Sequence, residues 1–281
     1  MVKSKYSWTE EKIERYIKEG RGTGELSEYK PWLTIQDVPS KGKVRRVKGW
    51  KTKRNHHLLS KLERNFFYIC EWSDHIIDTR EQFPLDRIET LRIANEIGVR
   101  HPFDKDTETP IVMTTDFLLT IRQNGNLTYL ARTIKPSEYL EDPRVIEKFE
   151  IELRYWTERK VDWKIVTEAD LSDVFFRNME AIRDSYFLTD EEDVTLLNTY
   201  FNFLQFSTKK VPWKSLLECS EEFDREYNLD SGTAIAFTRH LIASKKLIID
   251  IMKKIDFRRT KLEEITLCGN KVDDVYEYFI S

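Results

Sequence analysis

At 281 residues the chain is long enough for one large domain or two ordinary ones, and an apolar share of 40% supplies a core. A formal charge of −3 excludes a globally basic nucleic-acid binder, so any phosphate-contacting surface must be local. No apolar run approaches the roughly 20 residues of a membrane span, and the opening MVKSKYSWTEEK lacks the apolar core of a secretory signal. Cys70, Cys219 and Cys268 are odd in number and widely spaced. They fit neither a disulfide framework nor a zinc site and read as thiols of a cytoplasmic protein.

Taken in order, Ser7-Trp8-Thr9-Glu10 has the capping-box spacing that opens a helix, which stops near Gly20. Residues 20–32 read as a loop of little order-forming sequence. Residues 41–57, KGKVRRVKGWKTKRNHH, are the most basic stretch and contain no acid. They read as an irregular basic arm, either simply solvated or contacting DNA phosphates through Arg45, Arg46, Lys48, Lys51, Lys53 and Arg54. His56 and His57 are not at metal-ligand helical spacing and read as structural or DNA-contacting. Residues 60–71 form a largely buried helix. Ser60-x-x-Glu63 is itself a capping box, which alone would give Glu63 a local role. A Glu on the first turn of a helix packed on a sheet can also point into a site at the sheet's edge.

Residues 76–85 read as a strand ending at Pro84, unusually polar at Asp78, Arg80, Glu81 and Gln82. A helix follows over 86–98, stopped by Gly98. Residues 114–135, TTDFLLTIRQNGNLTYLARTIK, read as two strands joined by Asn124-Gly125, a strong hairpin signal. A two-residue turn there pairs Gln123 with Asn126, puts Asp116 opposite Thr133, and by regular alternation places Asp116, Thr133 and Lys135 on one face. Leu118 and Ala131 share that face. Phe117, Leu119, Ile121, Leu130 and Ile134 occupy the other, so both faces read as covered by helices. The bland alternative is an edge hairpin with its polar side chains in water.

Asp142-Pro143 signals an N-cap and first turn of a helix running to about Arg159. Val145, Phe149, Leu153 and Trp156, with Ile146, form its buried stripe, and Glu152 lies beside it. Residues 161–167 make another strand. The fold class is therefore α/β, a mixed sheet flanked by helices. Near Thr167 the pattern turns helical: 170–184, 190–206, 215–227 and 231–246, with starts at Thr189-Asp190 and Asp230-Ser231. Two short strand-like runs follow at 246–251 and 263–268, suggesting a mainly helical, winged-helix-like second domain. The domain boundary is expected between 168 and 169.

With these residues in view, the chain resembles the TnsA family, the endonuclease subunits of heteromeric transposases, within the restriction-endonuclease-like superfamily. The resemblance is densest in IKEGRGTG (17–24), PWLT (31–34), HHLLSKLE (56–63), REQFPL (80–85), TTDFL (114–118), IKP (134–136) and EKFEIELRYW (147–156). It implies a restriction-endonuclease-like sheet and a divalent-metal-dependent DNA nuclease that cuts the 5′ strands at transposon ends. Glu63 and Asp116 would hold Mg²⁺, with Mn²⁺ as an alternative ion, and Lys135 would be the catalytic lysine. The family usually has Gln or Glu two residues before that lysine. Here it is Thr133, a weaker ligand, with the Ile134 carbonyl as a further donor. Glu152 matches another acidic position near the family site. Implied partners are double-stranded DNA at the transposon ends, a DDE-type transposase subunit, and an AAA+ ATPase regulator met by the C-terminal domain, in a bacterial cytoplasm and at the nucleoid when active. Two other functions stay open on the residues: a free-standing restriction- or repair-type nuclease, and a catalytically silent DNA-binding assembly module.

Overall fold

The computed structural model describes residues 6–39, 45–123, 125–187 and 191–268, with backbone only at 191–193. The chain divides into two compact units, with the boundary between Leu171 and Ser172. The first is built on β3 (Ile76–Pro84), β4 (Thr114–Gln123), β5 (Asn126–Ile134) and β6 (Asp162–Val166), lying side by side in that order. The first three strands run antiparallel. β6 joins β5 in parallel through the crossover helix α4 (Pro143–Glu158), so the sheet is mixed.

The hairpin register is the one its turn dictates: Gln123 opposes Asn126 and Phe117 opposes Arg132. Gly125 takes φ +80°, which its lack of a Cβ permits; Asn124 lies outside the described residues. Both sheet faces are covered. Leu118 and Ala131 pack with Ile151, Tyr155 and Trp156 of α4 and with Ile93 and Ala94 of α3 (Arg87–Glu96). On the other side Phe117 meets Phe66 of α2 (Lys61–Trp72), ring centroids 5.3 Å apart.

Several local expectations are corrected. The first helix, α1 (Glu10–Lys18), is capped by Thr9, whose hydroxyl accepts from the Lys12 amide; Ser7 instead reaches toward Asp106. On α4, Leu153 and Ile146 are exposed, and the buried face is Val145, Ile151, Glu152, Tyr155 and Trp156. An apolar residue reads equally well on either side of a stripe, and here the carboxylate goes inward because two hydroxyls await it.

The basic stretch is not an irregular arm. It forms an antiparallel pair, β1 (Arg45–Lys48) with β2 (Asn55–Leu58); Lys41 and Lys43 lie outside the described residues. Arg54 and Lys51 are removed from the expected DNA-contacting set, because both are spent internally. Arg54 grips the fully buried Glu81 carboxylate with two nitrogens, at 2.7 and 2.6 Å. The same carboxylate meets His56 Nδ1 at 2.8 Å and accepts the His57 amide at 3.0 Å. His56 is therefore structural, its other nitrogen held by Thr52. Lys51 donates to the carbonyls of Cys70, Ser73 and Ile76, closing the end of α2. Burial alone would raise Glu81, but His56 and Arg54 hold it well below the ordinary glutamate range. Deleting one partner of such a pair leaves a buried charge uncompensated. Arg54→Ala is accordingly expected to cost about 3–5 kcal/mol, read from the midpoint of urea unfolding; an unchanged midpoint would refute it.

The loop 20–32 is ordered against the outer edge of β3. Leu26 N donates to Asp78, Tyr29 Oη to the Glu81 carbonyl and Trp32 N to the Gln82 carbonyl. Gly22 lies so close to Pro84 that a Cβ would fall 2.2 Å from its Cγ. This contact and the left-handed φ of +79° both require glycine there.

The second unit holds α5 (Asp173–Ile182), α6 (Glu191–Lys210), α7 (Leu216–Glu226) and α8 (Thr233–Ala243). Tyr200 is buried at its centre, its hydroxyl shared with Ser220 and Thr238. Helix α8 begins two residues later than Asp230-Ser231 suggests. Gly232 is its N-cap at φ +96°, and Asp224 of α7 accepts the Gly232 and Ala234 amides. A capping carboxylate from another helix carries no local sequence signature. The Thr189-Asp190 start lies outside the described residues. The terminal strands pair as β7 (Leu247–Ile248) and β8 (Thr266–Leu267), two residues each.

Candidate active site

Glu63 stands on the first turn of α2. The Ser60 hydroxyl accepts the Glu63 amide, and Glu63 Oε2 accepts the Leu59 amide at 2.9 Å rather than that of Ser60. Local capping therefore occupies one carboxylate oxygen. The side chain is 7% exposed. Burial, then the facing charge of Asp116, push it up to about 8.

Asp116 lies where the β3–β4 ladder is interrupted. Glu81 pairs with Phe117 and Phe83 with Thr115, but Gln82 and Asp116 are skipped. Regular alternation, which puts Asp116, Thr133 and Lys135 on one face, fails at this point. Phe117 faces α2, yet Thr115, two residues earlier, donates to Glu152 of α4 at 2.6 Å. The strand must rotate between them. Asp116 Oδ2 accepts the Ile134 amide of β5 at 2.7 Å, and Oδ1 accepts the Gln82 side-chain amide at 3.2 Å. Loss of water around the carboxylate pushes Asp116 up to about 6, against the pull of those two bonds and of Lys135.

Lys135 follows β5, its amide tied to the Val166 carbonyl and its ammonium 5.1 Å from the Tyr139 ring centroid. Its charge reaches Asp116. Among the described residues none of Glu63, Asp116 and Lys135 forms an ion pair, so one end of the sheet gathers a buried acid, a half-buried acid and a lysine without neutralising them.

Thr133 and Glu152 belong to a separate network. Trp163 Nε1 donates to the Thr133 hydroxyl and Trp156 Nε1 to that of Thr115. An indole nitrogen only donates, so both threonine protons are directed to Glu152 Oε1, at 2.5 and 2.6 Å. Thr133 is thus largely committed before any ligand arrives. Burial pushes Glu152 up to about 7, with Asp116 adding to the rise. The Ile134 group that touches Asp116 is its amide. Of the basic positions, Arg45, Arg46, Lys48 and Lys53 are exposed. The sequence marks Gln82 only as a polar strand residue, because a positive φ in a tertiary kink leaves no local pattern.

The donor set suits a hard divalent cation. Among the described residues no three of His, Cys, Asp or Glu converge closely enough to cage a metal by themselves. Two carboxylates completed by backbone and water oxygens are what Mg²⁺ favours, and a cation between Glu63 and Asp116 would offset the burial of the Glu63 charge and its repulsion by Asp116, which together raise Glu63.

A four-stranded mixed sheet covered by helices on both faces is the architecture of the restriction-endonuclease-like class, and Glu63, Asp116 and Lys135 are its candidate site residues here. Residues 73–168 match the model of the TnsA-like endonuclease N terminal region, and residues 170–251 that of the TnsA endonuclease C terminal region. Asp116, Lys135 and Glu152 fall inside the first match and Glu63 before it. The chain is 35% identical over 277 residues to the transposon Tn7 transposition protein TnsA of Escherichia coli, covering 99% of this chain and 98% of that protein. This chain belongs to the TnsA endonuclease family.

Proposed function

We propose that this chain is the endonuclease subunit of a cut-and-paste transposase, hydrolysing phosphodiesters on the 5′ strands at transposon ends with Mg²⁺. The observation that carries this reading is the un-neutralised pair Glu63 and Asp116 beside Lys135. Glu63, Asp116 and the Ile134 carbonyl would hold the ion, with Thr133 at most a weak further ligand. Bound there, the ion would polarise the scissile phosphate and make water a better nucleophile. Lys135 sits beside the phosphate, orients the attacking water and balances charge as the bond to the leaving sugar oxygen breaks. Glu152 holds Thr115 and Thr133, and so the ends of β4 and β5, in register behind the site.

The partners are double-stranded transposon-end DNA, a DDE-type transposase that cuts the other strand, and an AAA+ ATPase that meets the second unit, in a bacterial cytoplasm. No helix of the described residues is long and apolar enough to cross a membrane. The β1–β2 hairpin presents Arg45, Arg46 and Lys48 to DNA phosphates.

Cleavage of end-labelled transposon DNA, each strand labelled separately, tests this. Nicking of the 5′ strand is expected only with the transposase present. Efficient cutting by the chain alone would favour a free-standing nuclease. Replacing Arg45, Arg46 and Lys48 by Gln should weaken DNA association and flatten its salt dependence by up to about one unit of slope per lost phosphate contact. An unchanged slope would remove the hairpin from the DNA interface.

A further inference from the structure

Gln82 is a non-glycine residue at φ +49°, buried to 3% exposure, two residues before the end of β3. A left-handed backbone is strained for a residue with a side chain, and persists only where its surroundings impose it. Those surroundings are specific. Trp32 N holds the Gln82 carbonyl at 3.2 Å, Tyr29 Oη holds the preceding carbonyl at 3.0 Å, and the neighbouring Glu81 side chain is locked by Arg54 and His56. The side chain is aimed as well. Its oxygen accepts the Thr114 hydroxyl at 3.3 Å, and its nitrogen donates to Asp116 Oδ1 at 3.2 Å. An ionised carboxylate only accepts, so it is the amide nitrogen that faces Asp116.

We propose that Gln82 is a positioning residue: its strained backbone opens the β3–β4 ladder, and its carboxamide, with the Ile134 amide, sets the direction of the Asp116 carboxylate. This rests on the nuclease reading above. The kink lets the strand rotate at Asp116, and the two donors engage one lone pair on each carboxylate oxygen. The remaining lone pairs are left for an ion shared with Glu63. The clamp by residues 29–32 and the Arg54–Glu81–His56 cluster explains why so many buried polar groups surround one strand position.

Two variants separate position from fold. Gln82→Gly keeps a backbone that accepts φ +49° and removes the carboxamide. Gln82→Asn also tolerates the left-handed region but is one carbon too short to reach Asp116. Both are expected to melt close to the wild type without metal. Both should bind Mn²⁺, measured by titration calorimetry, about 10–100-fold more weakly. In the reconstituted complex their cleavage should need correspondingly more Mg²⁺. The proposal is overturned if the variants fold and match the wild type in Mn²⁺ binding and Mg²⁺ dependence, or if both lose the fold, since Gln82 would then be structural. Asp116→Ala run in parallel separates the two readings. If it too binds Mn²⁺ and cleaves as the wild type, Asp116 holds no ion and the assignment of the site on which the proposal rests has failed. If it loses both while the Gln82 variants retain them, only the positioning role has.

Discussion

Asp116→Ala should lower Mg²⁺-dependent cleavage of the 5′ strand by on the order of 10²–10³-fold or more, and Lys135→Ala should do the same, while both proteins still bind transposon-end DNA. The reasons differ. Asp116 is withdrawn from water and has no ion-pair partner among the described residues, so its charge is available to a cation rather than to a structural bond. Its loss also strands two donors, the Ile134 amide and the Gln82 carboxamide. Some instability, about 1–3 kcal/mol for an unsatisfied buried donor, should accompany the lost activity. Among the described residues the Lys135 ammonium has no ion-pair partner, and it lies over Tyr139. Its removal should leave folding almost unchanged. Activity falling with stability intact in Lys135→Ala is the clearer result, since a group acting only in the transition state affects turnover and not ground-state binding. Wild-type nicking by either variant in the reconstituted complex would take that residue out of the mechanism.

The second large effect concerns stability. Burial and Asp116 raise Glu63 to about 8 from an ordinary 4.5. A carboxyl with a raised folded pKa contributes stability that is fully present below its unfolded value and lost as pH climbs through the folded one. The metal-free protein should therefore weaken between about pH 4.5 and pH 8, with Asp116 and Glu152 rising in the same direction. Glu63→Gln keeps a carbonyl for the Leu59 amide and cannot ionise. It should be more stable than the wild type at pH 8 without metal, by a few kcal/mol, since each tenfold change in proton affinity is worth about 1.4 kcal/mol. At pH 4 the two should not differ. Mg²⁺ should raise the melting temperature of the wild type more at pH 8 than at pH 6, and leave Glu63→Gln unmoved. A variant that is less stable at pH 8, or that keeps the Mg²⁺ response, would show that Glu63 serves the helix start and not an ion.

Both effects turn on features visible to different degrees in the sequence. The hairpin is legible because Asn124-Gly125 admits few turn types, and the turn then sets every pair out to Phe117 and Arg132. Helix starts at Ser60 and Asp142 are legible because the capping group lies within three residues of the amide it satisfies. The start of α8 is not, because its capping carboxylate, Asp224, comes from α7.

The site divides in the same way. Glu63, Asp116 and Lys135 are singled out by the resemblance to the TnsA family, whereas the local signals alone leave Glu63 a capping role and the hairpin an edge alternative. The basic stretch shows its composition but not its commitments. Arg54 and Lys51 look like Arg45 and Arg46 until Glu81 and the end of α2 claim them.

What the sequence by itself determined is the central hairpin with its register and the helices that carry their own caps, because each follows from hydrogen bonds over a few neighbouring residues. Only the tertiary structure decided which way Asp116 turns, that Thr133 and Thr115 share Glu152, and which basic residues stay exposed. Those outcomes depend on groups tens of residues apart competing for the same buried acceptor, and a competition of that kind is settled by packing rather than by pattern.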